Sequence, residues 1–170
     1  MLIDLTLQDS RWTALNLQTL ADTAATETLA HLNIAASPCD ISLLACTDAR
    51  IADLNRDFRN KPGATNVLSW PAYGLAAAQP GAMPTLPEAD MTGEVSLGDI
   101  AIAFETCQLE AAEAGKPMAD HVTHLIVHGV LHLLGFDHIR DPDATLMERL
   151  EGEILGNMGM DDPYRDIDGA

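Results

Sequence analysis

Residues 128–138 read HGVLHLLGFDH and place three histidines around a glycine. His128 and His132 are four positions apart, so in a helix both imidazoles project from the same face. A continuous helix would carry position 138 about 15 Å farther along the axis, so the chain must turn before His138. Gly135 permits this turn because glycine tolerates a positive φ. The stretch therefore predicts the end of a helix and a return of the chain that brings the three imidazoles together.

The segments around this stretch indicate an α+β fold. Strands are predicted at 2–7, 41–46, 66–70 and 95–102. Helices are predicted at about 11–32, 47–58, 104–114, 117–134 and 141–158. Residues 71–93 hold four of the nine prolines and three glycines, which predicts a long surface loop. We therefore expect a single domain over residues 1–170, with a small mixed sheet of about four strands, about five helices, and a metal site at the C-terminal end of a central helix.

The three imidazoles form a ligand set for a transition metal. Histidine nitrogens bind zinc at about 2.0–2.1 Å, and a site with three protein ligands keeps a fourth position open for water or substrate. Zinc suits three neutral imidazoles best, with nickel, manganese and copper as alternatives. His121 and His124 lie on the preceding turns of the same helix. We expect these two side chains beside the ligands or at the surface rather than among the ligands His128, His132 and His138.

The histidine spacing matches the extended zinc-protease motif HExxHxxGxxH with one change. Gly129 occupies the position at which those proteases carry a general-base glutamate. Amide hydrolysis needs a group that takes a proton from water and gives it to the departing amine, and glycine has no such group. The pattern therefore favours a metal site that acts on another bond. Asp137 is either a proton-handling residue of this site or a residue of the turn.

Several motifs resemble those of the YbeY family of bacterial endoribonucleases, which act in ribosomal RNA maturation. HGVLHLLGFDH is similar to the family pattern HGxLHLxGYDH and departs from it at Phe136. Further similarities lie in LNRDFR (54–59), TNVLSWP (65–71), LGDIAI (97–102), GKPMADH (115–121) and GMDDPY (159–164). The loop at 71–93 resembles no family motif. The resemblance implies a zinc-type site at His128, His132 and His138 and a functional arginine at Arg59.

The three histidines and Arg59 suggest a mechanism for the RNA cleavage that the resemblance implies. A divalent metal polarises a phosphoryl oxygen and lowers the pKa of bound water, and Arg59 would stabilise charge on a non-bridging oxygen. His124 and Asp137 are the nearest candidates for proton transfer, and the nucleophile is either water or the 2′-hydroxyl. We therefore expect a metal-dependent endoribonuclease for single-stranded RNA that acts in ribosomal RNA maturation and ribosome quality control. The alternatives are a metallohydrolase for a peptide or an ester, and a non-catalytic ribosome assembly factor with a structural metal.

The charge of the chain limits how RNA is bound. The formal net charge is −17, which argues against general affinity for nucleic acid. Four of the nine basic residues lie close together, as a basic patch or as a solvated helix face: Arg50, Arg56, Arg59 and Lys61. We therefore expect weak, salt-sensitive binding of free RNA, with specificity supplied by a ribosomal particle or by ribosomal proteins.

The composition indicates a folded cytoplasmic protein. Hydrophobic residues make up 47% of the chain, enough for a core, and the longest apolar runs are too short to span a bilayer. The N-terminal residues resemble no signal peptide. Cys39, Cys46 and Cys107 match no zinc or redox spacing, and we expect them to be buried free thiols.

Overall fold

The protein forms one four-stranded sheet with helices packed on both faces. The structure is a computed structural model that describes residues 2–164. Its strands are β1 (Ile3–Leu7), β2 (Cys39–Cys46), β3 (Val67–Pro71) and β4 (Val95–Ala103). A short 3-10 helix spans Ser10–Leu15. The α-helices are α1 (Leu17–His31), α2 (Asp48–Arg59), α3 (Phe104–Ala114), α4 (Met118–Leu133) and α5 (Asp141–Asn157).

The sheet is mixed, with the strand order β1-β2-β4-β3. The strands β1, β2 and β4 are parallel, and β3 pairs antiparallel with β4 at the edge of the sheet. Successive side chains of a strand point to opposite faces. Leu43 and Ile100 accordingly pack in the larger core, whereas Leu44 and Ala101 pack on the other face. The predicted α+β class, with a small mixed sheet of four strands, is confirmed.

The single helix predicted at 11–32 is wrong, because the structure divides this segment into two helices. Asn16, with a left-handed φ of 49°, separates the 3-10 helix from α1. Trp12 in the 3-10 helix is fully buried, and its Nε1 donates to the carbonyl oxygen of Cys46 at 2.9 Å. This contact with β2 sets the direction of the short helix independently of α1. Hydrophobic periodicity does not reveal a constraint of this kind, because it comes from a distant strand.

Helix α4 lies at the centre of the larger core. It packs against α1, α3 and α5 and against the strands β3 and β4. Its apolar residues are almost all buried, among them Val122, Ile126, Val130 and Leu131. Side chains near its C-terminal end are therefore held on a rigid element.

The smaller core lies on the opposite face of the sheet, beneath α2. Thr47 caps the first turn of this helix with its side chain. Ile51 and Leu54 of α2 pack with Leu68 of β3 and Ala101 of β4. This packing directs the C-terminal end of α2 toward the edge strand β3.

The segment between β3 and β4, residues 72–94, contains no helix or strand. Its interior is attached to the rest of the molecule, since Leu75 is buried. Arg140, the residue before α5, donates hydrogen bonds to the carbonyl oxygens of Ala77 at 2.9 Å and Ala78 at 3.1 Å. The predicted long loop is thus present, and it is bound to the N-terminal end of α5.

Candidate metal centre

Helix α4 supplies the first two candidate ligands. His128 and His132 lie one turn apart and are half-buried, and their Nε2 atoms are 3.0 Å apart. Gly129 between them faces the sheet, where a Cβ would lie 3.0 Å from Ile100 Cδ1 and 3.3 Å from Ser69 Oγ. Helix and sheet pack closely at this point, so a side chain in place of Gly129 would require Ile100 or Ser69 to shift by a few tenths of an ångström.

The chain reverses at Gly135 and returns His138 to the helix pair. Gly135 has a φ of +100°, and a Cβ at this position would lie 2.8 Å from the backbone carbonyl carbon of Leu75. Both facts require glycine here. Ring nitrogens of His128, His132 and His138 all lie within 4.8 Å of one another, and the three side chains form a group that can hold a metal ion.

Hydrogen bonds leave a lone pair free on each helix histidine. His132 Nδ1 lies 3.0 Å from the carbonyl oxygen of Phe136, which only accepts, so the proton is on Nδ1. His128 Nδ1 likewise donates to the Glu151 carboxylate. Burial, together with His128 and His138, lowers the pKa of His132 to about 4, so this imidazole is neutral at pH 7. Two bare Nε2 lone pairs at 3.0 Å repel each other, and a proton or a metal ion between them removes this repulsion, so the donor set fits a metal ion.

Glu151 of α5 is a buried acid at this centre that was not predicted from the sequence. Its side chain is 0% exposed, and one carboxylate oxygen accepts a hydrogen bond from His128 Nδ1. The other oxygen, Oε2, lies 3.5 Å from His124 Nε2 without hydrogen-bond alignment. Burial by itself raises the pKa of Glu151, but His124 and His128 outweigh it and lower this pKa to about 2. An ionised carboxylate on the Nδ1–H of a metal-binding histidine orients the ring and raises its basicity.

The sequence does contain a signal for Glu151. Met147 and Leu155, four positions before and after it on α5, are both buried. Glu151 therefore lies on the apolar stripe of its helix, where a carboxylate needs a partner. The pattern does not identify that partner, because His128 is 23 positions away in the sequence.

The two predicted proton-transfer residues occupy different surroundings. Asp137 is half-buried in the cleft with the three histidines, and its Oδ1 accepts a hydrogen bond from the backbone N–H of His138 at 2.7 Å. His124 instead faces Glu151. His121 lies one turn earlier, with its Nε2 at 2.9 Å from a carboxylate oxygen of α3. The structure thus brings Asp137, but not His124, into the cleft.

Arg59 lines the same cleft as the three histidines. This cleft has a volume of about 650 Å³ and lies between α2, β3, the loop after β3 and the end of α4. Arg59 is exposed at the last position of α2, and Lys61 lines the cleft just beyond it. Among residues 2–164, Arg59 forms no ion pair, whereas Arg56 pairs with Asp53 and Asp57. The Arg59 guanidinium is therefore available to an anion in the cleft.

Comparison with known proteins agrees with the motifs and the site. The family model described as endoribonuclease YbeY matches residues 3–159. The chain belongs to the YbeY family. An endoribonuclease YbeY of Ruegeria pomeroyi is 66% identical over 164 residues, which cover 96% of this chain and 98% of the relative. An endoribonuclease YbeY of Methylocella silvestris is 43% identical, with 96% of this chain and 86% of the relative covered. The resemblance noted in the sequence is thus confirmed.

A solved structure supports the architecture. The solution structure of a Thermotoga maritima protein superposes with a TM-score of 0.52 and covers 96% of this chain and 99% of its own. Its sequence identity is 19%, so the likeness concerns the fold alone. Within residues 2–164, no helix combines the length and the apolar character needed to cross a membrane.

Proposed function

We propose that this chain is a metal-dependent endoribonuclease that cleaves single-stranded ribosomal RNA during its maturation. The observation that carries the proposal is the convergence of His128, His132 and His138 in a cleft that Arg59 also lines. Membership of the YbeY endoribonuclease family supports the reaction class. We further propose that residues 1–170 act as a single domain.

We propose zinc as the metal, with His128, His132 and His138 as its ligands. Three neutral imidazoles are a typical ligand set of catalytic zinc sites. Bound zinc would supply a Lewis acid for the phosphoryl group. The Nδ1 hydrogen bonds to Phe136 and Glu151 hold the two helix imidazoles with their Nε2 atoms turned toward each other. This fixed orientation reduces the reorganisation that metal binding requires.

Arg59 would bind the phosphate group at which the phosphodiester bond is cleaved. Its planar guanidinium can donate two parallel hydrogen bonds to phosphate oxygens and stabilise the charge that develops in the transition state. We infer that Asp137 rather than His124 transfers the proton. Asp137 lines the cleft, and the backbone N–H of His138 engages its Oδ1, so Oδ2 is left for water or substrate. His124 faces the buried Glu151 instead.

The net charge of the protein indicates that a partner is needed to present the RNA. With a net charge of −17, the protein repels a polyanion over most of its surface. Arg59 and Lys61 line the cleft, but two cations give only weak and salt-sensitive phosphate binding. We therefore propose that a ribosomal particle, or ribosomal proteins, hold the RNA at the cleft.

Cleavage of a labelled single-stranded RNA by the zinc-loaded protein tests the proposed function. His132→Ala should lose both the bound metal and cleavage, whereas Arg59→Ala should lose cleavage and retain the metal and the fold. Arg56→Ala is the matched control, because Arg56 lies on the same helix but is paired with Asp53 and Asp57. It should cleave like the unaltered protein. Full cleavage by Arg59→Ala would contradict the role given to this arginine.

Two other functions predict different outcomes of the same assays. A peptidase would cleave peptides and lose that activity in His132→Ala, but glycine at position 129, where zinc proteases carry a general-base glutamate, opposes this function. A non-catalytic assembly factor would bind metal, and no form of it would cleave RNA. Cleavage of RNA that depends on both His132 and Arg59 would exclude the peptidase and the non-catalytic assembly factor.

A further inference from the structure

A second groove lies on the face of β3 opposite to the histidine cleft. It has a volume of about 490 Å³ and is lined by α2 and all four strands. Trp70 of β3 pairs with Asp99 of β4, and Asp99 pairs with Ser42 of β2, so the three residues form one row across the sheet. Ser42 and Asp99 are exposed. The groove therefore combines apolar walls with a row of polar groups.

Phe58 forms the rim of this groove. Ile51, Leu54 and Phe58 follow one face of α2, and their exposed fractions rise from 0% to 8% and 69%. The Phe58 ring stands edge to face with Trp70, with 6.2 Å between the ring centroids and 79° between the planes. Together with Trp70, the exposed ring extends the apolar lining of the groove to its rim, where a ligand in the groove can contact it.

The groove and the histidine cleft share a wall. At the end of α2, Phe58 lines the groove and Arg59 lines the cleft. In β3, Trp70 lines the groove, and its neighbours Ser69 and Pro71 line the cleft. Because β3 is the edge strand, an extended polymer can pass over its free edge from one side to the other. Cations on one side and aromatic rings on the other are typical of single-stranded RNA sites.

We propose that this groove binds an unpaired nucleobase of the RNA whose phosphate is held at Arg59. Phe58 and Trp70 would contact the face or edge of the base, and Ser42 and Asp99 would form hydrogen bonds with its polar groups. The Asp99 carboxylate repels phosphate, so the groove favours a base over the sugar-phosphate backbone. The inference rests on the proposed function and deepens it, because a base that remains paired and stacked in a duplex cannot enter the groove.

Trp70 provides a direct spectroscopic test of this proposal. The chain has two tryptophans, and Trp12 is fully buried, so a change in emission on adding RNA reports on Trp70. The zinc-loaded protein is mixed in a stopped-flow instrument with a short single-stranded RNA, or with an abasic oligonucleotide of the same length and backbone. We expect rapid quenching by the RNA and none by the abasic oligonucleotide. Trp70→Phe should remove the signal.

Steady-state kinetics test the role of the exposed ring. Phe58→Ala should raise KM for single-stranded RNA about 5- to 100-fold, the range expected for loss of one base–aromatic contact, with a smaller effect on kcat. Phe58→Tyr keeps the ring and should reverse most of this loss. Leu109→Ala is the matched control, because Leu109 is 58% exposed on α3, and KM should stay unchanged. Thermal unfolding checks that each variant is folded.

Failure of this proposal is distinguishable from failure of the proposed function. If the unaltered protein cleaves no RNA, both are overturned. If it cleaves RNA while Phe58→Ala keeps KM within twofold and RNA leaves the Trp70 emission unchanged, only the nucleobase site is overturned. In that case the groove suits a protein partner. Equal quenching by RNA and by the abasic oligonucleotide would also overturn the site, because the backbone would then cause the signal.

Discussion

Replacement of Glu151 by glutamine should weaken metal binding and leave the fold intact. Glu151 is fully buried and accepts a hydrogen bond from Nδ1 of His128. Glutamine keeps the shape and a carbonyl acceptor but removes the negative charge that orients and polarises the imidazole. Loss of such a partner lowers metal affinity about 10- to 100-fold. This factor corresponds to roughly 1.4–2.7 kcal/mol of binding free energy.

The metal-free protein should also become less stable, although it should remain folded. Burial of Glu151 opposes its charge, but His124 and His128 outweigh this cost and lower its pKa to about 2, so the ionised carboxylate stabilises the fold at pH 7. Glutamine keeps an acceptor for His128 but loses this stabilisation, and the unfolding free energy should fall by about 1–3 kcal/mol. The unfolding midpoint should therefore fall by about 2–12 °C.

Competition with a chromogenic zinc chelator measures the affinity, and calorimetry of the metal-free protein measures the unfolding midpoint. Glu153→Gln is the matched control, because Glu153 lies on the same helix with its side chain 42% exposed. It should bind zinc like the unaltered protein. A Kd for Glu151→Gln within twofold of the unaltered value would refute the orienting role of this carboxylate. A variant that binds poorly because it is unfolded would show instead that Glu151 is needed for folding.

Gly135→Ala should destabilise the protein by about 1–3 kcal/mol, because alanine is strained at a φ of +100°. Urea unfolding measures the loss, and an unchanged midpoint would contradict this requirement for glycine. Arg140→Ala should speed limited proteolysis of the loop after β3, whose carbonyl groups Arg140 binds, whereas Arg149→Ala on α5 should not. Burial raises the pKa of Cys46 to about 11 and of Cys107 to about 12. Neither thiol should react with a thiol-specific disulfide reagent at pH 8 until the protein is unfolded, and prompt labelling of the native protein would contradict their burial.

Gly129 shows how a sequence pattern and a structure explain the same residue differently. In the sequence, Gly129 stands where the motif HExxH has a glutamate, and the absence of this carboxylate argues against peptide hydrolysis. The structure adds that the position faces Ile100 and Ser69, where the absence of a side chain allows α4 to pack closely on the sheet. A glutamate at this position would require these two side chains to shift.

Most helices and strands were predictable because their signals are local. The spans of α2, α3, α4 and β4 follow from periodicity, capping and glycine or proline at the ends. The break at Asn16 was missed, because helical periodicity continues across it, although asparagine is a residue that tolerates the left-handed conformation found there. The three buried free thiols were predicted and are confirmed.

The sequence by itself determined the pattern of candidate ligands, because helical spacing places His128 and His132 on one face and Gly135 allows the turn to His138. Both effects act within eleven consecutive residues, 128–138. Only the tertiary structure decided that Glu151 holds His128 and that Arg59 shares the cleft. Those contacts depend on how α5 and α2 pack against the rest of the fold. Packing between distant segments leaves no local periodicity from which such partners can be predicted.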